Sequence, residues 1–286
     1  MMKHTVDLVG AALDMYRTND PGGKPNLVDL GLRSLRQTVG GVAPGNLVVV
    51  GAATNVGKSS ILLEMAHHST DMGLVLSKED GADIVGVRLL ARHAQVRDGA
   101  IRTNRMTPEE RERVLAVADK AASGEIPDVP VVMPEHCATL EHVDKRLEEA
   151  AKLNCRWAAL DFLQRFRGIN ENRRSEVGIV MDRFQTKCRE LGMVAVVVSQ
   201  LGRLGPWVKP KLSNLKESGD IENEAKLILL AHRDQSCPAR VFVEVAKSSF
   251  GGGGTQFSMK YDEFGVLHEE GLTTATEYVP EAELTW

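Results

Sequence analysis

The chain has 286 residues, is 43% hydrophobic and carries a formal net charge of −4, so it can bury one large core. No apolar run approaches the roughly 20 residues of a membrane span, the N-terminus MMKHTVDLVGAALDMY has no signal-peptide cleavage pattern, and the charge balance exerts no global pull on nucleic acid, so any such contact is local. Cys137, Cys155, Cys188 and Cys237 lack metal-ligand spacing and read as reduced thiols of a cytoplasmic protein.

Residues 5–16 read as a helix with Val6, Val9, Leu13 and Tyr16 on one face. Residues 17–26, RTNDPGGKPN, are a linker by composition. A lone helix that short is marginal in water, so its apolar face docks on its own domain or on a neighbour. From residue 27 to 286, apolar strands alternate with helical segments. That alternation predicts one α/β domain: a mostly parallel sheet with right-handed crossovers, flanked by helices and closed by a C-terminal β-hairpin.

The run Leu47–Val50 predicts a buried strand leading into GAATNVGKSS, residues 51–60. This has the form of a phosphate-binding loop, with Ala52 in the usual first Gly position and Gly51 one residue earlier. The backbone of Ala53, Thr54, Asn55, Val56, Gly57, Lys58, Ser59 and Ser60 can cradle an anion at a helix N-terminus. Gly57 lets the backbone approach closely. Lys58 can reach β- and γ-phosphates and the Ser59 hydroxyl can ligate magnesium, which makes ATP and Mg2+ the expected ligands. A second short strand, Gly73–Leu76, precedes Glu79, which reads either as a base that polarises an attacking water or as a helix-start acid beside Asp80. His67, His68 and His93 show no ligand pattern.

Thr107-Pro108-Glu109-Glu110 is a capping box opening a helix to about Ala122. A strand at Pro130–Met133 and a helix from Thr139 to about Leu153 follow. Trp157–Leu160 predicts a strand ending at Asp161, where an acid lies beside the phosphate loop and can hold magnesium through water. Residues 173–192 read as a packing helix, with Val177, Val180, Phe184 and Cys188 on one face. Val194–Ser199 predicts a strand ending at Gln200, a γ-phosphate sensor or a plain loop amide. Late strands are expected near 227–232 and 240–247, and a hairpin over 255–270 turning near Asp262–Gly265.

Two loops follow strands that bear these residues: Gln164-Arg165-Phe166-Arg167-Gly168, and 202–211 continuing to Lys216-Glu217-Ser218-Gly219. Their cations suit a nucleic-acid backbone or a solvated surface equally, and Trp207 and Phe166 could stack on bases or pack under the loops.

Taken together, GAATNVGKSS, LSKED (76–80), LDFLQ (160–164), the segment 173–203 and above all LKESGDIE (215–222) resemble the ATPase domain of DnaB-type replicative helicases, a hexameric branch of the RecA-like ATPases. The resemblance runs from about residue 27 to near the end. It implies a RecA-like core, a homo-hexamer with ATP at subunit interfaces, and single-stranded DNA in the channel. It makes Lys58, Glu79 and Gln200 catalytic, and Ser59 and Asp161 the magnesium ligands. It brings Arg88 near the nucleotide, where a surface salt bridge is the competing role. It implies DNA contact by Arg165, Arg167, Arg203, Lys209, Lys211, Lys216, Glu217 and Gly219. It also implies that Lys247 reaches a neighbour's ATP.

Two departures stand out. Ser249 occupies the family's arginine-finger position in the string Lys247-Ser248-Ser249-Phe250-Gly251, so either Arg233 or Arg240 substitutes or hydrolysis is slow. The primase-recruiting N-terminal domain of the family has no counterpart here, and no residue identifies a loader or primase. The expected activity is ATP-driven translocation on single-stranded DNA with duplex unwinding. The competing readings are a RecA-like accessory that uses ATP as an assembly switch, favoured by Ser249, and a regulatory ring ATPase resembling KaiC.

Overall fold

Val, Leu and Ala runs that are buried on both faces can only be the interior strands of a sheet covered by helices on either side. In the computed structural model five such runs lie parallel, with a two-residue strand at the sheet edge beside them. The structure describes residues 27–126, 131–132, 136–166, 173–202, 204, 207–215 and 219–273, the side chains of 132, 173–176 and 219–220 apart. The helix and linker expected over 5–26 lie outside these residues.

The strands are β1 (Leu47–Ala52), β2 (Gly73–Ser77), β3 (Val131–Val132), β4 (Trp157–Asp161), β5 (Val194–Gln200), β6 (Leu227–Asp234), β7 (Cys237–Ser248), β8 (Gln256–Tyr261) and β9 (Leu267–Leu272). They form one sheet in the order β3-β2-β4-β5-β1-β6-β7-β8-β9. The pairings from β3 to β6 are parallel, and β7, β8 and β9 extend the sheet antiparallel. The expected α/β architecture and its closing hairpin are therefore present. β6 and β7 are longer than their apolar cores suggested, because their polar ends pair with each other beyond the buried part.

The helices are α1 (Arg33–Val39), α2 (Lys58–His68), α3 (Ala82–Ala94), α4 (Asp98–Arg102), α5 (Pro108–Ala122), α6 (Leu140–Lys152), α7 (Arg173–Glu190) and α8 (Gly219–Glu224). The capping box that opens α5 is complete: Thr107 Oγ1 accepts from Glu110 N and Glu110 Oε2 accepts from Thr107 N. α1 and α4 span seven and five residues without a side-chain cap, too short for a periodic signal.

Alternation along each strand divides the core. Val48, Val50 and Ala52 of β1 pack with Ile61, Leu62 and Met65 of α2, whereas Leu47 and Val49 join Leu147 of α6 and Phe184 of α7. Each such buried side chain contributes about 1.5–3 kcal/mol. Trp157 is wholly buried, and its Nε1 donates to Asp71 O at 3.0 Å. A Cβ at Gly73, its partner on β2, would lie 1.9 Å from the indole, so only glycine fits opposite this ring.

The register aligns the strand ends. Ala52 pairs with Gln200 and with Ala231, and Ser77 pairs with Asp161. These residues lie along the C-terminal edge of the parallel strands, the rim where ligands bind in open α/β sheets.

Candidate nucleotide site

The loop between β1 and α2 is anchored from below and exposed at its crest. Ala52, Ala53 and Val56 are buried, while Thr54 and Asn55 face solvent. Asn55 and Gly57 take positive φ, 64° and 117°, which turns successive backbone N–H groups toward one side. A Cβ at Gly57 would lie 2.3 Å from the Tyr261 hydroxyl, so this turn needs glycine for space as well as for φ. Gly51 needs it for packing: Leu230, Leu201 and Leu215 close over its Cα. Ser59 and Ser60, in the first turn of α2, are half-buried.

Lys58 is 7% exposed, and its Nζ donates to Ala53 O at 3.2 Å while lying 5.7 Å from the Phe162 ring centroid. Burial pulls the Lys58 ammonium below its usual range, and the Glu79 and Asp161 carboxylates offset part of that shift. Asp161 is 2% exposed and its Oδ1 has no hydrogen-bond partner. Burial pushes its carboxyl up to about 6, against a hydrogen bond from Ser59; the Asp80 and Glu79 carboxylates add to the rise. A buried, partnerless carboxylate oxygen next to the Ser59 hydroxyl is the donor set a hard cation requires.

The β2 end is held firmly. Lys78 N donates to Asp161 O at 2.7 Å, and Ser77 Oγ donates to Asp80 O at 3.0 Å. Glu79 thereby stands beside Asp161, and its Oε1 lies 4.0 Å from Arg165 Nη2. Arg88 of α3 forms an ion pair with Asp80. At the β5 end, Gln200 Nε2 donates to Thr54 Oγ1 at 2.9 Å. Gln164, just after β4, holds this end in place: its Nε2 donates to Ser199 Oγ at 2.9 Å and its Oε1 accepts from Gln200 N at 3.0 Å. Tyr261 and Arg233 also reach the loop. Arg233 Nε donates to Val56 O at 3.3 Å and its guanidinium lies 5.0 Å from the Tyr261 ring centroid. Sequence spacing carried no signal for these two contacts, because β6 and β8 meet the loop only through the sheet.

Lys247 lies elsewhere. It pairs with Ile228 at the start of β6, whereas Ala52 pairs with Ala231 near its end. At about 3.3 Å per residue this puts Lys247 roughly 10 Å or more along the strands from its own phosphate loop, and Lys247 Nζ bonds the Glu222 and Asn223 carbonyls at the end of α8. Ser249 is exposed at the same end. Arg240 is paired with Glu270 at 2.6 Å.

Of the loop cations, Arg165 sits at the nucleotide site rather than apart from it. Lys209 pairs with Glu244 at 2.8 Å, and Lys211 is exposed. Phe166 is 3% exposed and belongs to the core, whereas Trp207 is 39% exposed. Arg167, Arg203, Lys216 and Glu217 lie outside the described residues; Gly219 begins α8.

This sheet, with a phosphate-loop sequence at β1 and acids at the ends of β2 and β4, has the fold of a RecA-like core. The chain belongs to the family described as DnaB-like helicase C terminal domain, whose model matches residues 28–259. It is 25% identical over 234 residues to "Replicative DNA helicase DnaB" of Geobacillus stearothermophilus, covering 78% of this chain and 50% of that protein. It is 26% identical over 219 residues to "Replicative DNA helicase DnaC" of Bacillus subtilis, covering 72% and 47%. The chain thus spans about half the length of the curated relatives it matches. Its fold is similar to "ATPase Domain of G40P", with TM-score 0.78, 19% identity and coverage of 94% of this chain and 99% of that one. It is also similar to a structure described as a DnaB-like replicative helicase and its interactions with primase, with TM-score 0.77, 20% identity and coverage of 93% and 67%.

Proposed function

We propose that this chain is the motor of a homo-hexameric, magnesium-dependent ATPase that translocates on single-stranded DNA and unwinds duplex in replication or recombination. The observation that carries the reading is the meeting of Lys58, Ser59, Glu79, Asp161 and Gln200 on one sheet edge while Lys247 lies at the other end. A residue that far from its own phosphate loop serves a nucleotide only from a neighbouring subunit. The names of the relatives support the same activity.

In this reading the loop backbone and Lys58 bind the β- and γ-phosphates, and Lys58 exchanges the Ala53 carbonyl for phosphate oxygens. Ser59 and Asp161 hold magnesium, which neutralises phosphate charge when bound. Glu79 accepts the proton of the attacking water. Gln200 touches Thr54 and is braced by Gln164, so a shift at the γ-phosphate passes to the loop after β5. Lys211, Lys216, Glu217, Gly219, Arg167 and Arg203 supply the DNA contacts. Lys209 joins them by leaving Glu244, an exchange between half-exposed partners. The compartment is the cytoplasm, where the DNA is. One relative's primase contact suggests a primase as a partner here.

Strand displacement on forked DNA tests the proposal. Displacement with ATP and none with a non-hydrolysable analogue is expected; ATP hydrolysis without displacement would favour the accessory reading, to which Ser249 points.

A further inference from the structure

Beyond Lys58 and a neighbour's Lys247, the ATPase reading supplies no guanidinium fork to neutralise charge on the γ-phosphate as it transfers. The position that resembles the family's arginine finger is Ser249, which carries no charge. The other described cations near the site are engaged or distant. Arg88 pairs with Asp80, Arg233 sits on the Val56 carbonyl, Arg240 pairs with Glu270, and Lys247 is at the far end of the sheet.

Arg165 is different. It follows β4 in the short 3-10 turn Leu163–Arg165, four residues after Asp161. Its guanidinium lies 5.4 Å from the centroid of the Phe162 ring, the same ring that Lys58 Nζ approaches at 5.7 Å. Its Nη2 lies 4.0 Å from Glu79 Oε1, and the two side chains are 56% and 38% exposed. An exposed pair at that distance contributes little, so leaving it costs little. A planar fork of N–H donors can engage two phosphate oxygens at once.

We infer that Arg165 is the γ-phosphate cation of this chain, supplied in cis. This rests on the ATPase reading above and replaces the expectation that Arg165 contacts DNA. Water forms a bond to the γ-phosphorus, and the bond from phosphorus to the β,γ-bridging oxygen breaks with its electron pair left on ADP. The water proton passes to Glu79. Arg165 neither gives nor takes a proton; it exchanges Glu79 for γ-phosphate oxygens, which frees the carboxylate for that proton. A cis cation of this kind needs no residue at Ser249.

The full chain with Arg165→Ala and Arg165→Lys tests this. We expect kcat to fall at least about 100-fold in Arg165→Ala, with ADP affinity within threefold of wild type and unchanged circular dichroism. Arg165→Lys should recover little, because a point charge lacks the fork. Stabilisation by ADP with aluminium fluoride should be lost in Arg165→Ala while stabilisation by ADP alone is kept. Mixing Arg165→Ala with Lys58→Ala chains should restore no turnover, because each defect stays in its own site. Recovery on mixing would overturn the cis assignment. A kcat within threefold of wild type would overturn the inference alone, and so would loss of single-stranded oligonucleotide binding with turnover kept. A wild type that releases no phosphate above the Lys58→Ala background would overturn the ATPase reading and this inference with it.

Discussion

At the residue scale the site concentrates charge where burial opposes it. Asp161 is held with its carboxyl pushed up to about 6, so at pH 7.5 its ionised form is penalised until a cation shares the site. Asp161→Asn should therefore raise the melting temperature in metal-free buffer and abolish the further rise that magnesium and ATP give the wild type. Thermal melts with and without both ligands check this, and a lower melting temperature for the variant would count against it. Glu79, by contrast, is 38% exposed. Glu79→Gln should bind ATP within a few-fold of wild type and turn it over at least about 100-fold more slowly, as phosphate release and nucleotide titration would report. Ser249→Arg should change wild-type turnover less than about threefold, because the guanidinium of Arg165 already neutralises the charge an arginine finger would meet. A large acceleration, seen in a dilution series of turnover per subunit, would mean that the cation is missing in the native chain.

At the element scale, two late strands couple parts that are remote in sequence. Lys247 of β7 binds the terminal carbonyls of α8, where a cation is favoured by the helix dipole. Lys247→Ala should loosen α8 at any concentration and lower turnover only in assembled rings. Amide exchange in 219–224 and turnover across a dilution series separate the two effects. On β6, His232 is 2% exposed and lies 5.6 Å from the Phe242 ring centroid. Burial, then the Lys209 ammonium, pulls its imidazole down to about 4, with Glu244 and Asp234 opposing. The unfolded chain, with an ordinary value near 6.5, binds that proton more readily. Stability from this group is thus whole above pH 6.5 and lost as pH falls toward 4, by on the order of 2–3 kcal/mol. Burial pulls His67 down to about 4 as well, with the same sign, while Asp161 acts oppositely between its ordinary 3.8 and about 6. The readout is therefore the difference between chains: His232→Phe should flatten the acid decline of the urea midpoint relative to wild type. Parallel curves would remove His232 from the account.

At the scale of the whole molecule, the proposed ring would set the sheet edge that gathers the nucleotide residues against the neighbour's opposite end, which carries Lys247 and Ser249. An arm that bridges subunits would add to that contact. Residues 1–26 have the composition of such an arm, and a helix that short is stable only when docked. Removing them should weaken ring assembly about tenfold or more in concentration while leaving the unfolding midpoint of dilute protein within a few degrees. Sedimentation of both chains at matched concentrations decides it; an unchanged ring would assign the helix to its own domain.

Much of this molecule was legible from the chain alone, and the reason is locality. The strand, turn and helix of the phosphate loop lie within 47–68, so apolar period, glycine placement and Lys58 identify it without distant contacts. The same holds for the acids at the ends of β2 and β4, for the capping box of α5, and for the hairpin of β8 and β9. The tertiary structure alone decided what each remote side chain meets. Arg165 reads as a loop cation until β4 is laid beside β2 and brings it to Glu79. Gln164 reads as the tail of a motif until β5 presents Gln200 to it. Phe166 reads as a base-stacking or a packing ring until the core closes over it, and Lys247 is set at the far end of the sheet by the antiparallel register of β6 and β7. Period and propensity are properties of a few successive residues, whereas the partner of a long charged side chain is chosen by which strands pair, and that choice is made by the core as a whole.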